Sequence, residues 1–248
     1  EIKRDKILKK GKDLKPAKLE KILALKPRSE KVIVKDAKQR TFIADTTSRE
    51  AMVAHVYDVT YGIVENGKDT LVLLDDSIVR GTTLKDSIIQ IASRLKPKKI
   101  VIVSSAPQIR FPDCYGIDMS RMKEFVAFRA LVALLQEHDK EHLLQEAYER
   151  CKAQEHRRKE EITNEVAALY DAFSYDEVSK KIAEIVTPKG IEPEIEVIYQ
   201  TVEGLRAACP KNNGDWYFSG EYPTPGGNRV VNRAFINFME GRDERGYD

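Results

Sequence analysis

Two runs of consecutive apolar residues, 71–74 (Leu-Val-Leu-Leu) and 100–103 (Ile-Val-Ile-Val), stand out from a chain otherwise dense in charge. Runs of four apolar residues without alternation fit strands buried on both faces, so 71–74 is expected to be a central strand. Between the runs, Leu84, Ile88, Ile89, Ala92 and Leu95 recur at helical spacing, and Lys96-Pro97 end the pattern. The spacing predicts a helix over about 83–95. A strand, a short turn at Gly81, a helix and a second strand form a right-handed parallel unit of an α/β sheet.

The flanking patterns are weaker. Residues 1–26 read as helical, with Pro16 dividing two short helices. Strands are expected at 32–34 and 41–43. Thr46, Thr47 and Ser48 offer N-caps for a helix over about 48–65 that buries Ala51, Met52, His55, Val56, Val59 and Ile63 and stops at Asn66-Gly67. Residues 136–165 hold 15 charged side chains around a narrow apolar stripe, which predicts a long helix or helical hairpin packed at one edge. A second strand-helix element follows at 195–199 and 202–208. The tail from 210, rich in Pro, Gly and Asn and holding Trp216, reads as an ordered loop wrapping the domain. The organisation expected is a basic helical segment 1–30, a core 31–128, a helical insertion 129–174 and a C-terminal element with its tail, 175–248.

Charge and composition narrow the class. The net charge is +2, but residues 1–40 carry 15 Lys/Arg against 6 Asp/Glu and leave the remainder acidic. That basic arm contains no Phe, Tyr or Trp on which bases could stack, which argues against a nucleic-acid partner. No apolar run approaches the roughly 18–20 residues of a membrane span. Three cysteines, Cys114, Cys151 and Cys209, with no close pair, fit a reducing compartment, and a cytoplasmic protein is expected. His138 and His142 sit four apart, but no third zinc ligand is near. Trp216 suits either packing or a lid, and Arg110 either a phosphate contact or a loop brace.

The chemistry concentrates at 75–83, Asp-Asp-Ser-Ile-Val-Arg-Gly-Thr-Thr. A buried strand ends in two carboxylates, a Gly turn follows, and two threonines open a helix. Gly81 permits positive φ and close backbone approach. The helix N-terminus and loop amides favour a phosphate dianion, with the Thr82 and Thr83 hydroxyls as added donors. Asp75 and Asp76 repel a phosphate; they suit ribose hydroxyls, or a Mg²⁺ bridging those hydroxyls to a pyrophosphate. The C-terminal end of a parallel strand is where such sheets place ligands.

This string is the phosphoribosyl-pyrophosphate (PRPP) motif of type I phosphoribosyltransferases, and it resembles more narrowly the amidophosphoribosyltransferase family. Arg40-Thr41-Phe42-Ile43 resembles the end of that family's flexible loop. Residues 105–112 (Ser-Ala-Pro-Gln-Ile-Arg-Phe-Pro), running on to 115–119, match its next strand and loop. Residues 218–224 (Phe-Ser-Gly-Glu-Tyr-Pro-Thr) match its C-terminal signature. The resemblance implies a type I phosphoribosyltransferase-like parallel sheet flanked by helices, with a helical insertion. It implies displacement of pyrophosphate from PRPP by glutamine-derived ammonia, giving 5-phosphoribosylamine for purine synthesis. By resemblance, Asp75 and Asp76 hold the ribose hydroxyls and Mg²⁺. Ser77, Val79, Arg80, Gly81, Thr82 and Thr83 line the substrate loop, and Arg40 is the catalytic candidate for the pyrophosphate. The implied partners are PRPP, inhibitory purine nucleotides, an upstream glutaminase domain and further copies of the chain in a homo-oligomer.

Departures from the family are as informative. Residue 1 is Glu rather than a catalytic Cys, so the chain resembles the C-terminal part of a longer enzyme lacking its glutaminase domain. The basic, Gly-containing stretch expected before Arg40 is Lys35-Asp36-Ala37-Lys38-Gln39 here, and the following helix reads Glu-Ala-Met-Val-Ala-His-Val-Tyr over 50–57. Fewer cations there weaken pyrophosphate binding, so the alternative is a PRPP- or nucleotide-binding regulatory module without turnover. Where some relatives hold an iron–sulfur cluster, residues 213–217 carry no cysteine and Cys114 is offset from the other expected position; no cluster is expected.

Overall fold

The computed structural model describes residues 32–35, 57–116, 119–211 and 214–247. The basic segment 1–30, the strand expected at 41–43, Arg40 and the altered flexible loop lie outside these residues. Strand β1 (Ile33–Lys35) pairs antiparallel with β2 (Tyr57–Val59), Ile33 facing Val59. The helix expected to run to residue 65 therefore does not: 57–59 are extended, and turns and bends occupy 61–64 and 66–68. Tyr57 and Val59 have the shapes that strands favour, and pairing with β1 outweighed the helical spacing.

The main sheet has three parallel strands in the order β3 (Thr70–Asp75), β4 (Lys99–Ser104) and β5 (Glu194–Tyr199). Thr70 pairs with Lys99 and Lys99 with Glu194, so all three strands end level, at Asp75, Ser104 and Tyr199. Between β3 and β4 runs a π-helical segment, Leu84–Ile88, that passes into helix α1 (Ile89–Ser93). Leu84, Ile89, Ala92 and Leu95 are buried as their spacing required. The α/β unit read from the sequence is thus present, with its parallel pairing.

The position of β3 differs from the expectation. Among the described residues it is an edge strand: β4 lies in the middle, with Ile100 and Ile102 fully buried, whereas Val72 is 59% and Leu74 79% exposed. The exposed pair projects from one face, while Leu71 and Leu73 turn to the other and pack on the core. An unbroken apolar run marks a strand with two apolar faces; it does not say how many neighbours cover them.

Helices α2 (Val126–Glu137) and α3 (His142–Ala153) flank a short turn, and neither the long helix nor the charged hairpin expected over 136–165 forms: only α3 lies wholly within that span, 154–165 are turns and a short 3-10 stretch, and α2 is largely apolar and buried. Their inner faces join the main core through Phe128, Leu131, Leu135, Ala147 and Cys151. Helix α4 (Tyr175–Val186) opens with a capping box between Ser174 and Glu177, and packs on α2 and β5. Helix α5 (Val202–Ala208) follows β5, as expected.

The tail is not a loop. After a single turn, α6 (Trp216–Ser219), it forms α7 (Pro225–Met239), fifteen residues long and packed against α3. Pro225 at the first turn starts a helix rather than breaking one. Gly227 is there for clearance: a Cβ would lie within 2.6 Å of three Tyr222 side-chain atoms. Val230, Val231, Ala234, Phe235 and Ile236 then bury a continuous stripe. Phe235 and Phe238 both meet Phe128 edge-on, at 6.1 and 4.9 Å. Among the described residues, no helix is long and apolar enough to cross a membrane.

Candidate functional site at the carboxyl end of the sheet

The phosphate-type loop begins where β3 runs out. Asp75 closes the strand, and its carbonyl accepts from the Ser105 amide at 3.0 Å; the Asp76 carbonyl accepts from the Ala106 amide at 3.0 Å. The Ser105 hydroxyl adds bonds to both carbonyls. These ties fix the paired carboxylates against the end of β4. Asp75 Oδ1 accepts from the Asp76 amide and Asp76 Oδ1 from the Ser77 amide, so each carboxylate folds over the next peptide. Burial raises the Asp75 pKa, the amide bond opposes this, and the neighbouring Asp76 charge adds to the rise.

Ile78 is buried and anchors the loop in the core. The Val79 carbonyl accepts from the Val126 amide at 2.8 Å, at the start of α2. Gly81 has φ +73°, the left-handed conformation anticipated for it. Thr82 and Thr83 are exposed on the first helical turn, and the Lys85 amide returns to the Gly81 carbonyl. Asp75, Asp76, Ser77, Val79, Arg80, Gly81, Thr82 and Thr83 therefore lie on one continuous loop at the carboxyl edge of the sheet. Arg40 lies outside the described residues and has no position here.

No group of three or more His, Cys, Asp or Glu that could hold a metal is present among the described residues. His138 instead packs on the Phe173 ring at 5.3 Å. Two adjacent carboxylates suit a Mg²⁺ that keeps most of its shell as water and ligand oxygen, rather than a protein-built cage.

Two of the three other segments of the resemblance, 105–119 and the run into 218–224, meet, although a hundred residues separate them. The Tyr217 carbonyl accepts from the amides of Arg110 and Phe111, at 2.8 and 3.1 Å. Tyr217 Oη donates to Asp113 Oδ1 at 2.7 Å, and Tyr222 Oη donates to the Pro112 carbonyl. Asp113 is fully buried, and its Oδ2 accepts from the Tyr115 amide. Trp216 meets the Tyr115 ring edge-on at 5.6 Å, the packing alternative for that residue. Residues 117 and 118 of the same loop fall outside the described part.

Arg110 takes the role of a brace. Its guanidinium lies over the rings of Tyr170 and Tyr175, at 4.6 and 4.9 Å, and donates through Nε and Nη2 to Gln108 Oε1. The Tyr175 hydroxyl links the Gln108 amide to the Gln200 carbonyl at the end of β5. Cys151 is buried, which pushes its thiol pKa up to about 12 and leaves it unreactive. Sequence reasoning missed Glu124, whose carboxylate grips Arg80 of the loop. Only its place just ahead of α2 marks it, and spacing gives no hint of a partner 44 residues away.

No family model matches the chain. Among curated proteins, the amidophosphoribosyltransferase of Escherichia coli (strain K12) is 51% identical over 57 residues, covering 23% of this chain and 11% of that protein. That of Haemophilus influenzae is 52% identical over 62 residues, 25% and 12% of the two. That of Staphylococcus epidermidis is 40% identical over 89 residues, 36% and 17%. The matches thus span less than a fifth of these relatives' own length. Among solved structures, the glutamine PRPP amidotransferase from B. subtilis complexed with ADP and GMP aligns over 78% of this chain and 32% of that one, with 23% identity and a TM-score of 0.42. A structure described as the allosteric regulatory enzyme of purine biosynthesis aligns over 77% and 31%, with 22% identity and a TM-score of 0.43.

Proposed function

We propose that this chain, a relative of the amidophosphoribosyltransferases, is the phosphoribosyltransferase portion of such an enzyme, forming 5-phosphoribosylamine from PRPP and glutamine-derived ammonia. The observation that carries the reading is the Asp75–Thr83 loop: a carboxylate pair at a strand end, a left-handed glycine and two exposed threonines on the first helical turn. Relatives about half identical over the matched segments support it.

In this reading the loop from Val79 to Thr83 takes the 5′-phosphate, with its amides and the Thr82 and Thr83 hydroxyls as donors. Ser77 lines the approach. Asp75 and Asp76 accept from the ribose hydroxyls and fix the sugar, so that its anomeric carbon is presented in one orientation. Their charge also favours the cationic character that develops on the ring as pyrophosphate leaves. Asp75 and Asp76 would hold a Mg²⁺, which would supply charge stabilisation to the departing pyrophosphate. Arg40, by the family resemblance, is the candidate cation for the pyrophosphate. The remaining partners in this reading are purine nucleotides competing for the loop, an upstream glutaminase domain and other copies of the chain, in the cytoplasm.

The test supplies PRPP, Mg²⁺ and ammonia to the full-length protein and follows pyrophosphate release, with calorimetric PRPP binding in parallel. Mg²⁺-dependent binding with release is expected. Absence of Mg²⁺-dependent PRPP binding overturns the reading; binding without release leaves a regulatory module in its place.

A further inference from the structure

We infer that Glu124 is a positioning residue for the phosphate loop, acting through Arg80; the inference rests on the reading of that loop given above. Arg80 sits between Val79 and Gly81, yet its guanidinium is directed at the segment preceding α2. Its Nε lies 2.8 Å and its Nη2 2.6 Å from Glu124 Oε2. The other carboxylate oxygen, Oε1, faces Arg121 Nη1 at 3.4 Å. Arg121 and Lys123 in turn meet Asp243 of the C-terminal tail, at 3.5 and 2.6 Å.

The backbone repeats the attachment. The Val126 amide donates to the Val79 carbonyl, and Arg129 Nη1 approaches the Arg80 carbonyl at 3.4 Å. In a trans peptide the N–H points opposite to the C=O. Drawing these two carbonyls toward α2 therefore turns the amides of Arg80 and Gly81 away from it. The segment 124–129 thus sets which way the loop's donors point, and the Arg80–Glu124 fork is its side-chain part. The Arg80 side chain then shapes the loop rather than binding the phosphate directly.

An ion pair this exposed, with side chains 41% and 26% accessible, contributes little to global stability. Its effect belongs on ligand affinity, where a displaced donor loses its bond. Removing the outer partner of a binding group commonly weakens affinity about tenfold or more.

The experiment titrates the chain with ribose 5-phosphate, comparing wild type, Glu124→Gln, Arg80→Ala and the double variant, with thermal unfolding and the ³¹P resonance of the saturated ligand alongside. Glu124→Gln is expected to weaken binding about tenfold and to shift the ³¹P resonance, with an unfolding midpoint within about 2 °C of wild type. The double variant should bind no more weakly than Arg80→Ala. Wild-type affinity and an unshifted resonance in Glu124→Gln overturn the inference alone. Additive losses overturn it as well, because Arg80 then contacts the phosphate itself. A wild-type chain that binds no ribose 5-phosphate overturns the loop reading and this inference with it.

Discussion

Gly81 and Val186 touch across the gap between the phosphate loop and the end of α4: a Cβ on Gly81 would lie 2.8 Å from Val186 Cγ1, and 3.3 Å from Val126 Cγ2. Both valines are buried and have no room to retreat. The loop is therefore shaped from below by two core helices, and glycine is required there twice over, for clearance and for φ +73°. Gly81→Ala should destabilise the chain by about 2–4 kcal/mol, combining overpacking with left-handed strain. It should also weaken ribose 5-phosphate binding more than tenfold. Urea unfolding and calorimetry check the two effects; a variant with wild-type values in both contradicts the packing described.

How far the sequence disclosed this site follows from which forces act locally. The turn at Gly81 and the apolar face of Leu84, Ile89 and Ala92 are short-range features, and all were legible. The exposure of Val72 and Leu74 was not, because it depends on what packs over that face of β3 once the chain is folded. Helix α7 was hidden by Pro225, Gly226 and Gly227, whose composition suggests a loop, although Pro suits a first turn. The strand at Tyr57–Val59 exists through its pairing with Ile33–Lys35, a contact that helical periodicity cannot foresee. Glu124 was illegible for the same reason: its partner, Arg80, comes near only when the sheet and α2 are assembled.

Asp75 should show opposite effects on stability and binding. Its pKa is raised chiefly by burial, so the fold prefers the protonated form. The stability associated with that form is fully present below the group's unfolded pKa and is lost as pH rises through the folded one. Asp75→Asn keeps an acceptor for the Asp76 amide and removes the charge, so at neutral pH the unfolding midpoint should stay level or rise. In the proposed site, binding of Mg²⁺ and PRPP draws on that charge and should fall at least about tenfold. In the wild type, acidification should weaken this binding from a higher pH than an ordinary aspartate would set, and Asp75→Asn should move that onset to lower pH. Calorimetry across a pH series checks it.

Arg110 should matter to folding and not to ligand. Arg110→Met removes a cation from the faces of Tyr170 and Tyr175 and leaves Gln108 Oε1, on a buried side chain, without these two donors. The expected loss is about 2–4 kcal/mol. Arg110→Lys keeps the charge but lacks the planar fork, and should recover only part of it. Affinity for ribose 5-phosphate should stay within about twofold in Arg110→Lys, on the scale where tenfold is 1.4 kcal/mol. A tenfold loss of affinity in a folded Arg110→Lys would make Arg110 a phosphate contact after all.

Tyr217 joins the two distant segments through a bond to a carboxylate that has no exposure to solvent. Burial, followed by the bond to Asp113, raises the phenol pKa, so at neutral pH the hydroxyl keeps its proton and remains a donor. Tyr217→Phe preserves the ring and the backbone bonds from Arg110 and Phe111, and deletes only the donation to Asp113 Oδ1. A buried carboxylate that loses one hydrogen bond should cost about 1–3 kcal/mol. The damage should be local, because the Tyr115 amide still holds Oδ2. Hydrogen exchange should therefore accelerate in residues 110–116 and 215–222, with β4 and α2 unchanged. Acceleration spread evenly over the chain would show that the contact supports the whole core rather than the junction of the two loops.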